Sequence, residues 1–272
     1  MTAGSGTRRL PASRPVLDGE WVRVADRSYG TEVFRVEGRH TYYVKTTPPR
    51  DPDDPRFHPE GEARRLDWLR GRGFPVPEVV DVGADDSSAW LVTTAVPGLP
   101  AAARWPARQR SRVLAGVAEL VGELHSSPVE DCPFDGGLRH TLAWAERATR
   151  SELVDVADLD EGHTGWTAAR LLAELRSAAP PPEDDLVVCH GDPCLDNVLV
   201  DPATLRPTGL IDVGRLGTAD RWRDLAVLVR NLQGENDGWA DGADHASRFL
   251  AVYGADHDEY RAAYYRLLDE FF

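Results

Sequence analysis

The chain is 272 residues long and carries 45 acidic against 31 basic side chains, a net charge of −14. Apolar residues at 42% and charged residues at 28% are ordinary globular proportions, and the length allows one large domain or two lobes around a cleft. The acidity argues against a nucleic-acid partner, which would need a basic face, and no apolar run approaches the ~18 residues of a membrane span.

The first fifteen residues contain Arg8, Arg9 and Arg14 but no apolar segment, so they read as a loose leader and not a secretory signal. From Trp21 to Val44 short apolar runs (Val22 and Val24, Val33-Phe34-Val36, Tyr42-Tyr43-Val44) alternate with Gly-containing breaks, which predicts an antiparallel meander. A Pro/Asp-rich linker spans Pro48 to Pro59. Ala63, Leu66 and Leu69 then share one face of a helix predicted over Glu60–Arg70. Val79-Val80 and Trp90-Leu91-Val92 read as two further strands, and Pro97-Gly98 ends the β-rich part.

Beyond that break the pattern turns helical. Val113, Leu114, Val117, Leu120, Val121 and Leu124 recur at helical spacing. Helices are also predicted over Leu138–Ser151, over Trp166–Ala178 before Pro180-Pro181-Pro182, and over Tyr260–Phe272 with Ala263, Tyr264, Leu267, Leu268 and Phe271 inward. Leu186–Cys189, Val198–Val200 and Leu210-Ile211 read as short strands. The expected class is α+β in two lobes: residues 16–94, small and antiparallel, for nucleotide binding, and residues 95–272, larger and mainly α, for catalysis and substrate. The hinge falls at Thr93–Gly98, and interlobe clefts are common ligand sites.

The motif between the predicted strands carries the chemistry. Asp192 stands five residues before Asn197, and Asp212 fifteen residues after it, in Cys-His190-Gly191-Asp192-Pro-Cys-Leu-Asp-Asn197 and Ile211-Asp212. That spacing suits phosphoryl transfer from ATP: one carboxylate takes the proton of the acceptor hydroxyl, while an amide and a carboxylate oxygen hold Mg2+. An Asp/Asn turn cluster is the structural alternative for a lone His-Gly-Asp. All basic residues but Lys45 are arginine, so this one ammonium group is conspicuous. Lys45 at the end of the third strand and Glu62 on the next helix suit an ion pair that would fix the ammonium on nucleotide phosphates, with a surface salt bridge as the alternative. Ser28, Tyr29 and Gly30 form a turn able to cover those phosphates, although a plain hairpin explains them nearly as well. No Gly-Lys pair exists, which excludes a P-loop. Cys132, Cys189 and Cys194 follow no metal-ligand spacing and read as thiols of a reducing, cytoplasmic setting.

Taken together, Val187-Val-Cys-His-Gly-Asp-Pro-Cys-Leu-Asp-Asn197, Gly209-Leu-Ile-Asp-Val-Gly-Arg-Leu-Gly-Thr-Ala-Asp-Arg221, Val129-Glu-Asp-Cys-Pro-Phe-Asp135 and Tyr265-Arg-Leu-Leu-Asp-Glu-Phe-Phe272 resemble the aminoglycoside O-phosphotransferases, antibiotic kinases of the protein-kinase-like fold. The resemblance covers nearly the whole chain beyond the leader. It implies Asp192 as catalytic base, Asn197 and Asp212 as Mg2+ ligands, Lys45 and Glu62 as the phosphate-binding pair, and backbone at Thr94 and Val96 against adenine. Arg215, Glu270 and the carboxylate of Phe272 would form the floor of the antibiotic pocket. Asp158, Asp160, Glu161 and Glu235 are further candidates for a cationic aminoglycoside, each also explicable as a solvated helix face. The resemblance divides over the acceptor. Pro193 and Gly217–Arg221 look like the streptomycin 3''-kinases, and Asp-Glu-Phe-Phe at 269–272 like the kanamycin/neomycin 3'-kinases. The expectation leans narrowly to streptomycin, with an endogenous small-molecule kinase and an inactive binding module as rivals. No obligate protein partner is evident.

Overall fold

The computed structural model describes residues 17–26, 29–49, 54–235 and 238–272. The leader, Ser28, residues 50–53 and the side chain of Glu235 lie outside that description.

Strands β1 (Glu20–Asp26), β2 (Glu32–Glu37) and β3 (Thr41–Thr47) form the expected antiparallel meander. Helix α1 (Pro59–Arg70) follows, and β4 (Val79–Ala84) with β5 (Ala89–Thr94) completes a five-stranded sheet of order β1-β2-β3-β5-β4. Because side chains alternate along a strand, Phe34, Val36, Val44 and Val92 meet on one face, packed by Trp21 and Trp90. Lys45 lies opposite Leu91 on the face toward α1. The inward alternation predicted for β1 fails at Val24, which is exposed, because a bulge between Arg23 and Ala25 shifts the register.

Helix α1 starts where its sequence dictates. His58 Nδ1 accepts from the Gly61 N–H at 3.3 Å, Pro59 occupies the first turn, and Glu60 and Glu62 lie at the positive end of the dipole. Ala63, Leu66 and Leu69 are buried as predicted.

After β6 (Leu99–Pro100) come α2 (Ala107–His125), α3 (Leu138–Arg150) and α4 (Ala168–Ser177). Helix α4 begins two residues later than Trp166 because Thr167 caps it, accepting from the Arg170 N–H at 3.2 Å. The loop of interest runs from β7 (Leu186–Cys189) to β8 (Val198–Val200), and β9 (Pro207–Leu210) pairs with β8. Besides the two-residue β6, three elements had no sequence prediction: β10 (Gly217–Asp220), which pairs with β7, α5 (Trp222–Arg230) and α6 (His245–Tyr253). Helix α7 (Glu259–Asp269) buries Ala262, Tyr264, Tyr265, Leu267 and Leu268, whereas the predicted inward Ala263 is exposed. One large core joins α1, β5 and the helices, and Trp144 donates to Phe271 O at 2.8 Å, tying the last residues into it. No described helix is long and apolar enough to cross a membrane.

Candidate active site

The β7–β8 loop is built on backbone that few residues tolerate. Gly191 has φ +88°, and a Cβ there would lie 2.3 Å from Arg215 O, so only glycine fits. His190 is buried. Its Nδ1 accepts from the Asp192 N–H at 3.3 Å and its Nε2 faces Ile211 O at 3.1 Å, which selects the Nε2–H tautomer. Burial lowers its pKa, keeping the ring neutral.

The decisive support is Asp224, fully buried on α5, a residue that sequence reasoning passed over. Its carboxylate accepts from His190 N at 2.6 Å, Gly191 N at 2.8 Å and His125 Nε2 at 3.0 Å. His125 in turn meets the Tyr253 hydroxyl at 2.7 Å. Three donors on one buried carboxylate hold the loop immediately before Asp192.

Asn197 donates from Nδ2 to Asp192 O at 2.9 Å, leaving its amide oxygen as an acceptor. Asp212 occupies left-handed backbone (φ 60°, ψ 48°), unusual for a residue other than glycine. Lys45 Nζ lies 2.7 and 3.0 Å from the two Glu62 oxygens and 2.8 Å from Asp212 Oδ1. Residues 45, 62 and 212 thus converge from a strand, a helix and a loop. Burial works against the Lys45 charge, but Asp212 and Glu62 outweigh it and raise its pKa. The depth of the cleft likewise works against ionised Asp212, yet Lys45 holds its carboxyl down to about 2. Burial pushes Glu62 up despite Lys45. Lys45→Met leaves the buried Glu62 without its cation, and such losses cost about 3–5 kcal/mol. Thermal unfolding should register that loss, with Glu62→Gln in the same chain recovering part of it. A Lys45→Met protein as stable as the parent would show that the ammonium does not neutralise Glu62.

Beside this cluster opens a cleft of about 490 Å³ lined by Asp192, Asn197 and Asp212 at one side and by Tyr29, Asp158, Asp160, Arg215, Glu270 and Phe272 among others. Nine of its lining residues are Asp or Glu and three are Arg, a balance that concentrates cations. The arginines are internal counter-ions. Arg215 bridges Asp192 Oδ2 at 2.8 Å and Asp269 Oδ1 at 2.9 Å, and Arg230 bridges Asp160 and Asp269, each at 3.2 Å. Arg215 and Arg230 outweigh burial and lower the Asp269 pKa. Glu270 accepts from the Asp160 N–H at 3.2 Å and meets His163 Nδ1 at 2.5 Å, and burial raises its pKa. Phe272 lies under the Arg215 guanidinium, 5.2 Å from ring centre to carbon.

Other predicted positions fall elsewhere. Glu161 is exposed on the single turn Glu161–His163 and does not line the cleft, so its acceptor role loses support. Gly30 forms the β1–β2 turn at φ +85°. Thr94 and Val96 stand at the end of β5, outside the cleft lining. The Thr94 N–H donates to Glu78 O at 2.9 Å, and Val96 packs on Gly209, where a Cβ would come within 2.6 Å of it. Asp155, Asp196 and Arg230 line the cleft without having been singled out; their acidic or basic character alone was no signal in so charged a chain.

Known proteins resemble the chain in both sequence and fold. The model of the phosphotransferase enzyme family (APH) aligns with residues 21–263. The chain belongs to this family. An aminoglycoside 3'-phosphotransferase of Streptomyces fradiae is 50% identical over 258 residues, covering 93% of this chain and 95% of that protein. Streptomycin 3''-kinase of Streptomyces griseus is 38% identical, covering 93% and 92%. Among solved structures, an aminoglycoside 3'-phosphotransferase of type VIII superposes with a TM-score of 0.84 at 47% identity, covering 93% of each chain. The phosphotransferase APH(3'')-Id of Streptomyces rimosus, solved with ADP and streptomycin, gives 0.77 at 32%, also over 93% of each. The expected kinase-like α+β fold is therefore the fold of the phosphotransferase.

Proposed function

We propose that this phosphotransferase moves the γ-phosphate of ATP to the 3'-hydroxyl of an aminoglycoside in the cytoplasm and so inactivates the drug. The observation that carries the reading is the joining of Lys45, Asp192, Asn197 and Asp212 to a cleft with nine carboxyl-bearing residues. An acidic cleft suits a polycationic acceptor, and identities of 50% and 48% to two 3'-phosphotransferases favour the 3' class over the 38% to a 3''-kinase. This reverses the narrow lean toward streptomycin. Pro193 and Gly217–Arg221 keep 3''-phosphorylation of streptomycin as the second reading.

The residues suit the cofactors. The Asn197 amide oxygen and the Asp212 carboxylate are the hard oxygen donors that Mg2+ prefers. Bound by them, Mg2+ would neutralise charge on the transferring phosphoryl group. The Lys45 ammonium, already positioned by Glu62 and Asp212, suits the nucleotide phosphates. At the hinge, an adenine would meet the Thr94 carbonyl and the Val96 N–H, because the Thr94 N–H is committed to Glu78. Asp192 accepts the hydroxyl proton while Arg215 steadies its second oxygen. Asp160, Asp269 and Glu270 exchange contacts with Arg230, Arg215 and His163 for contacts with the ammonium groups of the drug. The added phosphate then weakens the attraction of the drug to anionic RNA.

Coupled ADP release with neomycin, kanamycin and streptomycin in parallel tests the assignment. Turnover should favour neomycin and kanamycin by at least about 10²-fold in kcat/KM, the scale on which a polar site rejects a mismatched acceptor. Preference for streptomycin would install the second reading, and no turnover on any of the three would overturn both.

A further inference from the structure

A second cavity, of about 380 Å³, shares Gly214, Arg215 and Phe272 with the acidic cleft but has the opposite electrostatic character. His58 and the α1 residues Arg64 and Arg65 line it together with His140 from α3 and Arg223 from α5. In a chain of net charge −14, three further arginines gathered with two histidines around one cavity require a physical account.

Arg65 and Arg223 bond to carbonyl oxygens, and the nearest acids, Glu62 for Arg65 and Asp224 and Asp269 for Arg223, act on them only through space. Arg65 donates from Nε to Leu216 O at 2.8 Å and from Nη1 to Gly61 O at 3.0 Å, and Arg223 donates from Nη1 to Gly136 O at 2.9 Å. Carbonyl oxygens satisfy N–H groups without cancelling charge. Among the described residues, none of Arg64, Arg65, His140 and Arg223 forms an ion pair with a carboxylate. The two acidic residues on the wall have other partners: Asp54 pairs with Arg56 at 2.7 Å, and Asp135 faces Arg139 at 3.9 Å. Burial, with Arg223 and Arg64 nearby, brings the Arg65 guanidinium down to about 10, and burial beside Arg215 lowers Arg223. Arg65 is also stacked 4.5 Å from the centre of the Phe134 ring, which fixes its plane before any ligand arrives.

We propose that this cavity is an oxyanion site that takes inorganic phosphate or sulfate on the guanidinium groups of Arg64, Arg65 and Arg223, with His140 at its rim. Planar guanidinium forks are the side chains best matched to tetrahedral oxyanions. An anion there cancels the repulsion between Arg65 and Arg223 and between Arg223 and Arg215, so it binds the folded chain in preference to the unfolded one.

The test is thermal unfolding of the full chain at constant ionic strength, with sodium chloride exchanged stepwise for sodium phosphate or sodium sulfate. Excluded salts stabilise every folded protein, so the readout is the difference between the parent and Arg64→Glu/His140→Glu. Both of these side chains are exposed and stand outside the acidic cleft. At 50 mM oxyanion the rise in Tm of the parent should exceed that of the double variant by about 2–4 °C. Arg65→Gln should lose the same increment; if it folds poorly, the surface double variant carries the test alone. Equal rises in parent and double variant would overturn the proposal, assigning any phosphate effect to the nucleotide end or to general salt action.

Discussion

Asp192→Ala lowers kcat by about 10²–10⁴, the usual contribution of a positioned general base, at saturating nucleotide and acceptor. The expectation rests on how firmly the loop is held. The backbone before Asp192 is anchored on Asp224, its side chain accepts from Arg215 at 2.8 Å, and its carbonyl accepts from Asn197 at 2.9 Å. Removal of the carboxylate leaves Lys45, Glu62 and Asp212 in contact with one another, so nucleotide affinity should change by less than about threefold. Arg215 keeps its bond to Asp269, which limits structural damage. Single-turnover measurement of phosphoryl transfer, paired with nucleotide binding by calorimetry, separates the two quantities. Turnover within about tenfold of the parent would remove Asp192 from the base role. A collapse of nucleotide binding would mean that the substitution had disturbed the loop instead.

The second large effect comes from a residue that touches no reacting atom. Asp224→Ala leaves the N–H groups of His190 and Gly191 and the His125 ring without their buried acceptor. Each such loss costs about 1–3 kcal/mol, so the variant should lose roughly 3–5 kcal/mol, or about 6–15 °C in Tm. Asp224→Asn tests positioning separately from stability. One amide oxygen can serve only part of the donor set, and the amide N–H2 opposes the remaining donors. In this variant kcat should fall by at least about tenfold with the nucleotide KM nearly unchanged, because Lys45 and Asp212 are held independently. If Asp224→Asn retains full kcat, the carboxylate is only a structural anchor and does not position Asp192.

The two residues differ in how visible they are before folding. Asp192, Asn197 and Asp212 sit at short fixed spacings, and metal and hydroxyl chemistry restricts the side chains that can occupy them. Asp224 is one acid among 45, on a helix with no sequence prediction. That helix was hidden for a definite reason. Leu225, Ala226, Val227, Leu228 and Val229 form one short unbroken apolar run, all buried, and a run of that length reads equally as a buried strand or a buried helix segment. Strand β10 is four residues long and is defined by its ladder to β7 and a single bridge from Thr218 to Asp135, both pairings distant in sequence. Conversely, α1 and α2 were legible because each exposes one side to solvent and buries the other.

The acceptor side divides in the same way. The acidic excess could be read directly, and it pointed to a cationic ligand. Which acids face the cleft could not be read: Asp158 and Asp160 line it while Glu161, one residue further, points away on a single tight turn. Nor could the sequence reveal that Arg215 and Arg230 already occupy the carboxylates, or that α1 and α5 bring Arg64, Arg65 and Arg223 to one cavity where, among the described residues, they form no direct ion pair.

By itself, then, the sequence determined the α+β class, the phosphoryl-transfer motif and the partnership of the sole lysine with Glu62, because these follow from local periodicity and from chemistry at short spacing. The tertiary structure decided which buried carboxylate holds the His190–Asp192 loop, which acids line the cleft, and where arginines gather without a direct ion pair. Those outcomes depend on burial and on encounters between residues tens of positions apart, where a single charged side chain has the same identity in solvent as in the core but an entirely different energy.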